Sequence, residues 1–230
     1  MLQLDGIVLE EPGFRLTADL VVPKGARCAV LGPSGAGKST LLNAIAGFVV
    51  PKAGHISWDG QSIEGLSPGE RPVTILFQDQ NLFPHLTVER NLGLGLAPDG
   101  RITEEVRAKI ASALARTGLS GLGGRRPGQL SGGQQGRAAL ARALLRARPL
   151  LLLDEPFAAL GPALKSEMLE LVAEVAAEAG ATVMMVTHDP EDARRFADLT
   201  ILVANARAEP PALTTAIFAN PPPALRAYLG

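Results

Sequence analysis

Short apolar runs recur along the chain and alternate with longer segments of helical spacing. The runs lie at residues 28–31, 73–77, 150–153 and 182–186. Their length and composition are typical of strands buried on both faces of a parallel sheet. Residues 104–114 and 162–179 place apolar side chains at helical spacing, and Thr103 and Gly180 provide start and stop signals. The pattern predicts an α/β fold with a mainly parallel sheet at its core.

The first sixty residues follow a different pattern. Residues 2–9 and 14–22 read as two strands separated by a turn at 10–13, and 54–60 alternates like a third strand. We expect a small antiparallel β subdomain there.

Residues 79–148 are mainly helical, so we predict one domain over 1–230 with a helical subdomain inserted at about 79–148. Beyond Asn205 the Ala- and Pro-rich chain indicates no clear element.

Composition narrows the classes of partner. A formal net charge of −1 provides no strong field for nucleic acid, and we predict no nucleic-acid partner. The single cysteine, Cys28, lies in an apolar run and excludes an internal disulfide. Asp5 and Glu10 interrupt the region where a signal peptide needs apolar residues, and no uncharged run has the length of a spanning helix. We expect any membrane association to depend on a protein partner.

A glycine-rich stretch joins the run at 28–31 to a helical segment. Its residues are Gly32, Pro33, Ser34, Gly35, Ala36, Gly37, Lys38, Ser39 and Thr40. The spacing G-x-x-x-x-G-K-S is that of a P-loop, whose glycines let successive backbone N–H groups turn toward one anion. The N-terminus of the following helix adds free N–H groups and a positive dipole end. We predict a nucleotide phosphate site in which Lys38 binds the β- and γ-phosphates and the Ser39 hydroxyl ligates Mg²⁺.

A P-loop alone is compatible with kinases, GTPases and many ATPases. Two further stretches narrow the class of nucleotide-binding protein. Residues 130–134 read Leu-Ser-Gly-Gly-Gln and open a helix that we expect to run through Ala147, a second anion-binding geometry. Four leucines precede Asp154 and Glu155, which places two carboxylates at the carboxyl end of a strand. Open α/β sheets bind their ligands at that edge.

With these motifs the chain resembles the nucleotide-binding subunit of ABC (ATP-binding cassette) transporters over essentially its full length. The motifs occur in the family's order: the P-loop, Gln78, 130–134, Asp154 with Glu155, and His188. Within the family, residues 71–88 and 91–96 closely resemble the ATPase of bacterial thiamine importers. The resemblance implies an ABC ATPase fold and an enzyme that hydrolyses ATP to power import of thiamine or thiamine phosphates.

The resemblance also implies roles for single residues. Asp154 is expected to hold Mg²⁺ together with Ser39, and Glu155 is expected to be the general base for the attacking water. Such a base contributes about 10²–10⁴ in rate. Gln78 is expected to touch the metal or the water, and His188 to contact the γ-phosphate and orient Glu155.

The implied partners follow from the same family. Two subunits are expected to pack head to tail, so that each signature segment closes over the partner's nucleotide. Its residues are Ser131, Gly132, Gly133 and Gln134. Residues 79–88 are expected to dock a cytoplasmic helix of an integral membrane permease, which places the chain on the cytoplasmic face of the inner membrane. A substrate-binding protein is an indirect partner. Core packing explains the apolar residues of 82–85 equally well.

Three positions depart from the family's pattern. Residue 11 is Glu where an aromatic usually stacks on adenine, and Phe14 is a candidate substitute. Gly161 stands where an interface aspartate is usual, and Gly136 where a long polar residue is common. Gly161 and the missing aromatic leave open an ATP-gated dimerisation module with little turnover. A second alternative is an ABC ATPase that acts away from membranes, although the chain has neither the long heptads nor the second P-loop of such relatives.

Overall fold

The computed structural model describes residues 1–79, 81–97, 100–158 and 160–229. Its strands are β1 (Leu2–Glu11), β2 (Phe14–Val22), β3 (Arg27–Leu31), β4 (Ala53–Trp58), β5 (Gln61–Ser62), β6 (Val73–Leu76), β7 (Leu150–Asp154), β8 (Thr182–Val186), β9 (Leu199–Ala204), β10 (Arg207–Ala208) and β11 (Ala212–Leu213). Its helices are α1 (Lys38–Ala46), α2 (Val88–Leu96), α3 (Glu104–Arg116), α4 (Gly132–Leu145), α5 (Pro162–Ala179), α6 (Pro190–Phe196), α7 (Thr214–Ala219) and α8 (Pro223–Leu229). Gln80, in the predicted docking segment, and Ala159, just before Leu160, lie outside the described residues.

Five parallel strands form the centre of the sheet in the order β9-β3-β8-β7-β6. These strands are almost entirely apolar, because both faces of the sheet are covered. Cys28 is fully buried in β3, as predicted, and burial raises the pKa of its thiol to about 12. The predicted α/β fold with a mainly parallel core is confirmed.

The antiparallel strands β5-β4-β1-β2 continue the same sheet, and the two-residue strand β10 links β2 to β9. The predicted turn at 10–13 was too long, since β1 continues to Glu11 and pairs it with Phe14. The turn contains only Pro12 and Gly13, and Gly13 has the positive φ of 79° that so short a connection requires.

Apolar side chains gather in three clusters. The first lies between the antiparallel strands and one face of the parallel strands, and it encloses α1. The second covers the other face of the parallel strands, beneath α4 to α8. The third joins α2, α3 and α4, with Leu92, Ile110 and Leu130 in its interior. The third cluster packs the three helices of the predicted insert against one another, and α4 connects them to the second cluster.

Several boundaries differ from those predicted, and some elements were missed. Helix α5 has the predicted bounds, but α4 ends at Leu145 because Ala147 takes a left-handed φ of 48°. Strand β6 ends at Leu76, one residue before the predicted end. The chain after Asn205, where no element was predicted, forms β10, β11, α7 and α8. Strand β9 was not predicted either.

None of the described helices combines the length and the apolar character that crossing a membrane requires.

Candidate nucleotide-binding site

Four neighbouring parallel strands deliver most of the predicted site residues to one edge of the sheet. The P-loop follows β3, His188 follows β8, Asp154 ends β7 and Gln78 follows β6. The register pairs Asp154 with Val186 and Leu76 with Leu153, so these strand ends are level. The site lies where open parallel sheets bind their ligands.

The Lys38 side chain folds back over the P-loop. It is 7% exposed, and its Nζ donates to the carbonyl oxygens of Gly32 at 2.8 Å and Pro33 at 2.9 Å. Burial lowers the pKa of Lys38, although the carboxylates of Glu155 and Asp154 oppose that shift. Helix α1 starts at this lysine, and among the described residues no side chain caps its first N–H groups. The loop therefore offers an ammonium group and open N–H donors, which suits a phosphate.

Two glycines of the loop have no room for a side chain. A Cβ on Gly32 would lie 2.0 Å from the carbonyl oxygen of Val203. Gly37 has a φ of 99°, and a Cβ there would lie 2.5 Å from the Phe14 ring. Phe14, the candidate to replace the adenine-stacking aromatic, thus packs beneath the loop and against the first apolar cluster.

The two predicted metal ligands at the loop contact each other. The Ser39 hydroxyl donates to Asp154 Oδ1 at 2.9 Å. Burial raises the pKa of Asp154, as does Glu155, while the Ser39 hydrogen bond and Lys38 act against the rise. A hydroxyl and a half-buried carboxylate are hard oxygen donors of the kind that Mg²⁺ prefers, so these residues fit the ion.

The predicted base and its orienting residue are also adjacent. The Nδ1 of His188 lies 2.9 Å from Glu155 Oε2, a hydrogen bond in which the ring N–H donates to the carboxylate. Glu155 adopts a left-handed φ of 45°, which is strained for a residue with a side chain. Its side chain is 24% exposed and that of His188 is 58% exposed. A carboxylate held this way at the sheet edge is placed to accept a proton from water.

Gln78 lies exposed in the turn after β6, next to the predicted docking segment. Leu82 packs into the apolar clusters, whereas Phe83 is 46% exposed and stacks edge-on to His85. Asn91, fully buried in α2, holds this loop: its side chain accepts from Phe83 N at 2.8 Å and donates to Phe83 O at 3.1 Å. Core packing therefore explains Leu82 but not Phe83 or His85.

The signature residues 131–134 lie at the start of α4 and not at one of the strand ends described above. Ser131 caps α4 through a reciprocal pair of bonds with Gln134. A Cβ on Gly133 would lie 2.9 Å from Leu164 of α5, so this helix start packs against α5. Across the described residues, no hydrogen bond joins 131–134 to the P-loop of the same chain.

A charged network behind His188 was missed in the sequence. Lys165 Nζ lies 2.7 Å from Asp189 Oδ2 and 3.0 Å from Asp192 Oδ1. Burial acts to lower the pKa of Lys165, but its hydrogen bonds with both carboxylates prevail and raise it. Thr187 Oγ1 donates to Asp192 and accepts from the backbone N–H of Asp189. The network ties the first turn of α5 to the residues that flank His188.

The phosphate loop, the carboxylate pair and the signature segment define an ATP-binding cassette, and the ABC transporter family model matches residues 17–158. The chain belongs to this family and, as an ATP-binding member, is an ATPase. It is 67% identical over 230 residues to the thiamine import ATP-binding protein ThiQ of Cereibacter sphaeroides, with both chains fully covered. Identity to the protein of the same name from Ruegeria sp. is 55% over 230 residues, again covering all of both chains.

Among solved structures, the chain is similar to the bacterial ABC transporter cassette MJ0796. Two dimeric structures of that protein match, one of them a post-hydrolysis state bound to ADP and Pi. Each has a TM-score of 0.82 and 31% identity, and the match covers 93% of this chain and 99% of the other. The ABC ATPase fold is therefore confirmed.

Proposed function

We propose that this ATPase powers the import of thiamine or its phosphates as the nucleotide-binding subunit of an ABC importer. The observation that carries the proposal is full-length identity of 67% and 55% to two thiamine import ATP-binding proteins. The site supports the ATPase half of the proposal, since a phosphate loop and a Glu155–His188 pair lie at one sheet edge. The whole of 1–230 acts as one ATP-binding domain, with the helical insert at about 79–148.

In this proposal the P-loop N–H groups and Lys38 hold the phosphates. Glu155 takes a proton from water as the water oxygen attacks the γ-phosphorus, and the bond to the β–γ bridging oxygen breaks to give ADP and phosphate. His188 keeps the Glu155 carboxylate in place and contacts the γ-phosphate. Gln78 contacts the attacking water.

Ser39 and Asp154 would hold Mg²⁺, with Gln78 as a further contact. The ion would neutralise charge on the β- and γ-phosphate oxygens. The 2.9 Å contact between the Ser39 hydroxyl and the Asp154 carboxylate brings the two donors to one point, which supports this assignment.

The working unit is a homodimer. Ser131, Gly132, Gly133 and Gln134 would bind the nucleotide held by a second copy, since across the described residues no hydrogen bond joins them to their own P-loop. The capped, exposed start of α4 leaves the Gly132 position open, because a Cβ there would meet nothing within 4 Å. The dimeric form of the structurally similar cassette supports this arrangement.

The permease contact lies at residues 79–88. Phe83, Pro84 and His85 are exposed, and Asn91 holds their loop in shape from inside, as a docking surface requires. Binding there would keep the chain on the cytoplasmic face of the inner membrane and couple it to a substrate-binding protein through the permease. The non-transport alternative gives no role to the exposed ring of Phe83.

Two measurements test the function. The chain is tagged in its own cell, membranes are solubilised in mild detergent, and co-purifying proteins are identified by mass spectrometry. Uptake of labelled thiamine is then compared in cells that lack the gene and in cells complemented with the wild-type or the Glu155→Gln chain. We expect a multi-span permease to co-purify and uptake to return only with the wild type. Normal thiamine uptake without the gene would overturn the proposed cargo.

A further inference from the structure

The only tyrosine of the chain contacts the segment that carries His188. Tyr228 lies in α8, near the end of the described residues, and its hydroxyl donates to the backbone carbonyl oxygen of His188 at 2.5 Å. The two residues are 40 positions apart. The contact therefore joins α8 to the loop between β8 and α6.

Residues 187 and 189, on either side of His188, are held by the charged network described above, and the His188 ring bonds Glu155. The backbone N–H of Thr187 donates to Val30 at a long 3.3 Å, and Asp189 N–H donates to Thr187 Oγ1 at 3.0 Å. The His188 side chain is 58% exposed, so packing contributes little to the ring's position. The oxygen that Tyr228 bonds belongs to the 188–189 peptide, which is attached to the Cα that carries the imidazole, so the contact restrains the backbone from which the ring projects.

Helix α8 is itself well anchored. Leu225 is fully buried, and Tyr228 packs against the second apolar cluster. Three consecutive prolines at 221–223 lead into the helix and restrict its backbone. Arg226 donates from its side chain to the carbonyl of Pro221 at 3.3 Å. The phenol hydroxyl is thus presented from a packed helix, not from a free terminus.

We propose that Tyr228 is a positioning residue for ATP hydrolysis, whose hydrogen bond to the His188 carbonyl keeps the imidazole on the Glu155 carboxylate. The inference rests on the proposed roles of Glu155 and His188. Burial raises the pKa of Tyr228, and the nearby carboxylates of Glu155 and Asp189 raise it further. The phenol therefore keeps its proton and remains a donor at neutral pH.

The test is Tyr228→Phe, which keeps the ring and its packing and removes only the hydroxyl. One hydrogen bond of this type corresponds to about a three- to tenfold change in rate. We expect kcat for ATP hydrolysis to fall by that factor while KM for ATP stays within about twofold. Ala227→Ser is the control, because it changes an exposed position of the same helix and leaves Tyr228 intact, and we expect its kcat to equal that of the wild type.

A double-mutant cycle tests whether Tyr228 affects kcat through His188. In the His188→Ala background, Tyr228→Phe is expected to have no further effect on kcat. An equal fall in both backgrounds, or unchanged kcat in Tyr228→Phe while His188→Ala is impaired, would overturn the positioning role and leave the proposed function standing. Wild-type kcat in His188→Ala would instead overturn the proposed role of His188, and with it this inference.

Discussion

Ser39 and Asp154 are 115 positions apart in the chain, and the hydroxyl of one donates to the carboxylate of the other at 2.9 Å. The bond joins the first turn of α1 to the end of β7. It forms because β3 and β7 both pair with β8 and end at the same edge of the sheet. The sheet order, more than any local signal, assembles the oxygen donors of the site.

Replacing Glu155 by Gln tests the general base. The amide cannot take a proton from water, so we expect ATPase activity to fall at least about a hundredfold. ATP binding remains, and an ATP-bound dimer should accumulate on gel filtration. Glu167→Gln, at an exposed position of α5, is the control. Equal and negligible turnover in the wild type and in Glu155→Gln would favour a dimerisation module with little turnover.

Replacing Lys38 by Ala tests the phosphate site. The change removes the charge that bonds Gly32 and Pro33 and that would bond phosphate. Charge-assisted bonds are worth about 1.5–3 kcal/mol each, so we expect ATP affinity by calorimetry to fall about a hundredfold or more. Lys52→Ala, on an exposed ion pair with Glu10, should bind ATP normally. Unchanged affinity in Lys38→Ala would contradict the assignment of the P-loop.

Replacing Gly161 by Asp tests whether the backbone at this position requires glycine, where relatives usually have an aspartate. Gly161 is the N-cap of α5, with a φ of −66° and a ψ of 158° that any residue adopts, and a Cβ there would meet nothing within 4 Å. A carboxylate would cap the helix and favour its dipole, so we expect about 0.3–1 kcal/mol of added stability in urea unfolding. Gly161→Ala offers no cap and should show no gain. A loss of stability in Gly161→Asp would contradict the geometry.

Replacing Arg71 by Ala tests a buried side chain that ties α1 to the chain before β6. Arg71 is 3% exposed and donates to the carbonyl oxygens of Ala44 and Ile45 at 2.8 Å each. Truncation removes both bonds and leaves the Ala44 oxygen only its 3.2 Å bond from the Gly47 N–H, and we expect a loss of about 2–4 kcal/mol in the free energy of unfolding. Arg148→Ala, at an exposed position nearby, should cost little. A change under about 0.5 kcal/mol in Arg71→Ala would show that its bonds contribute nothing net.

The loss of folding stability at low pH is expected to depend in part on Asp198. Hydrogen bonds from Arg27 lower the pKa of this carboxyl. Its contribution is therefore present above the unfolded pKa of about 3.9, and is lost as the pH falls through the folded value. We expect Asp198→Asn to be less stable than the wild type at pH 7 and nearly equal to it near pH 2. Asp19→Asn, exposed on β2, should parallel the wild type across that range.

The sequence predicts the bounds of an element best where residues that start and stop it lie at its own ends. Pro162 and Gly180 bracket α5, and both of its bounds agree with the prediction. The apolar runs predicted a mainly parallel sheet, whereas the order of its strands came only from the structure. Tyr228 and Lys165 carried no such signal, because their partners lie 40 and 24 positions away and their contacts depend on how the helices cover the sheet. The same holds for Arg71, whose neighbours in sequence give no sign that it is buried.

The packing of α1 on both sides limits which helices could shift when nucleotide binds. Leu41, Leu42 and Ile45 are fully buried, with antiparallel strands on one side of the helix and parallel strands on the other. A helix packed on both sides has no room to shift without opening the main core. The phosphate-binding end is therefore the fixed frame of the protein. Helices α2 and α3 pack in the third cluster alone, so a shift of these two helices would leave the main core closed, whereas α4 packs in both the second and the third cluster and connects them to the parallel strands.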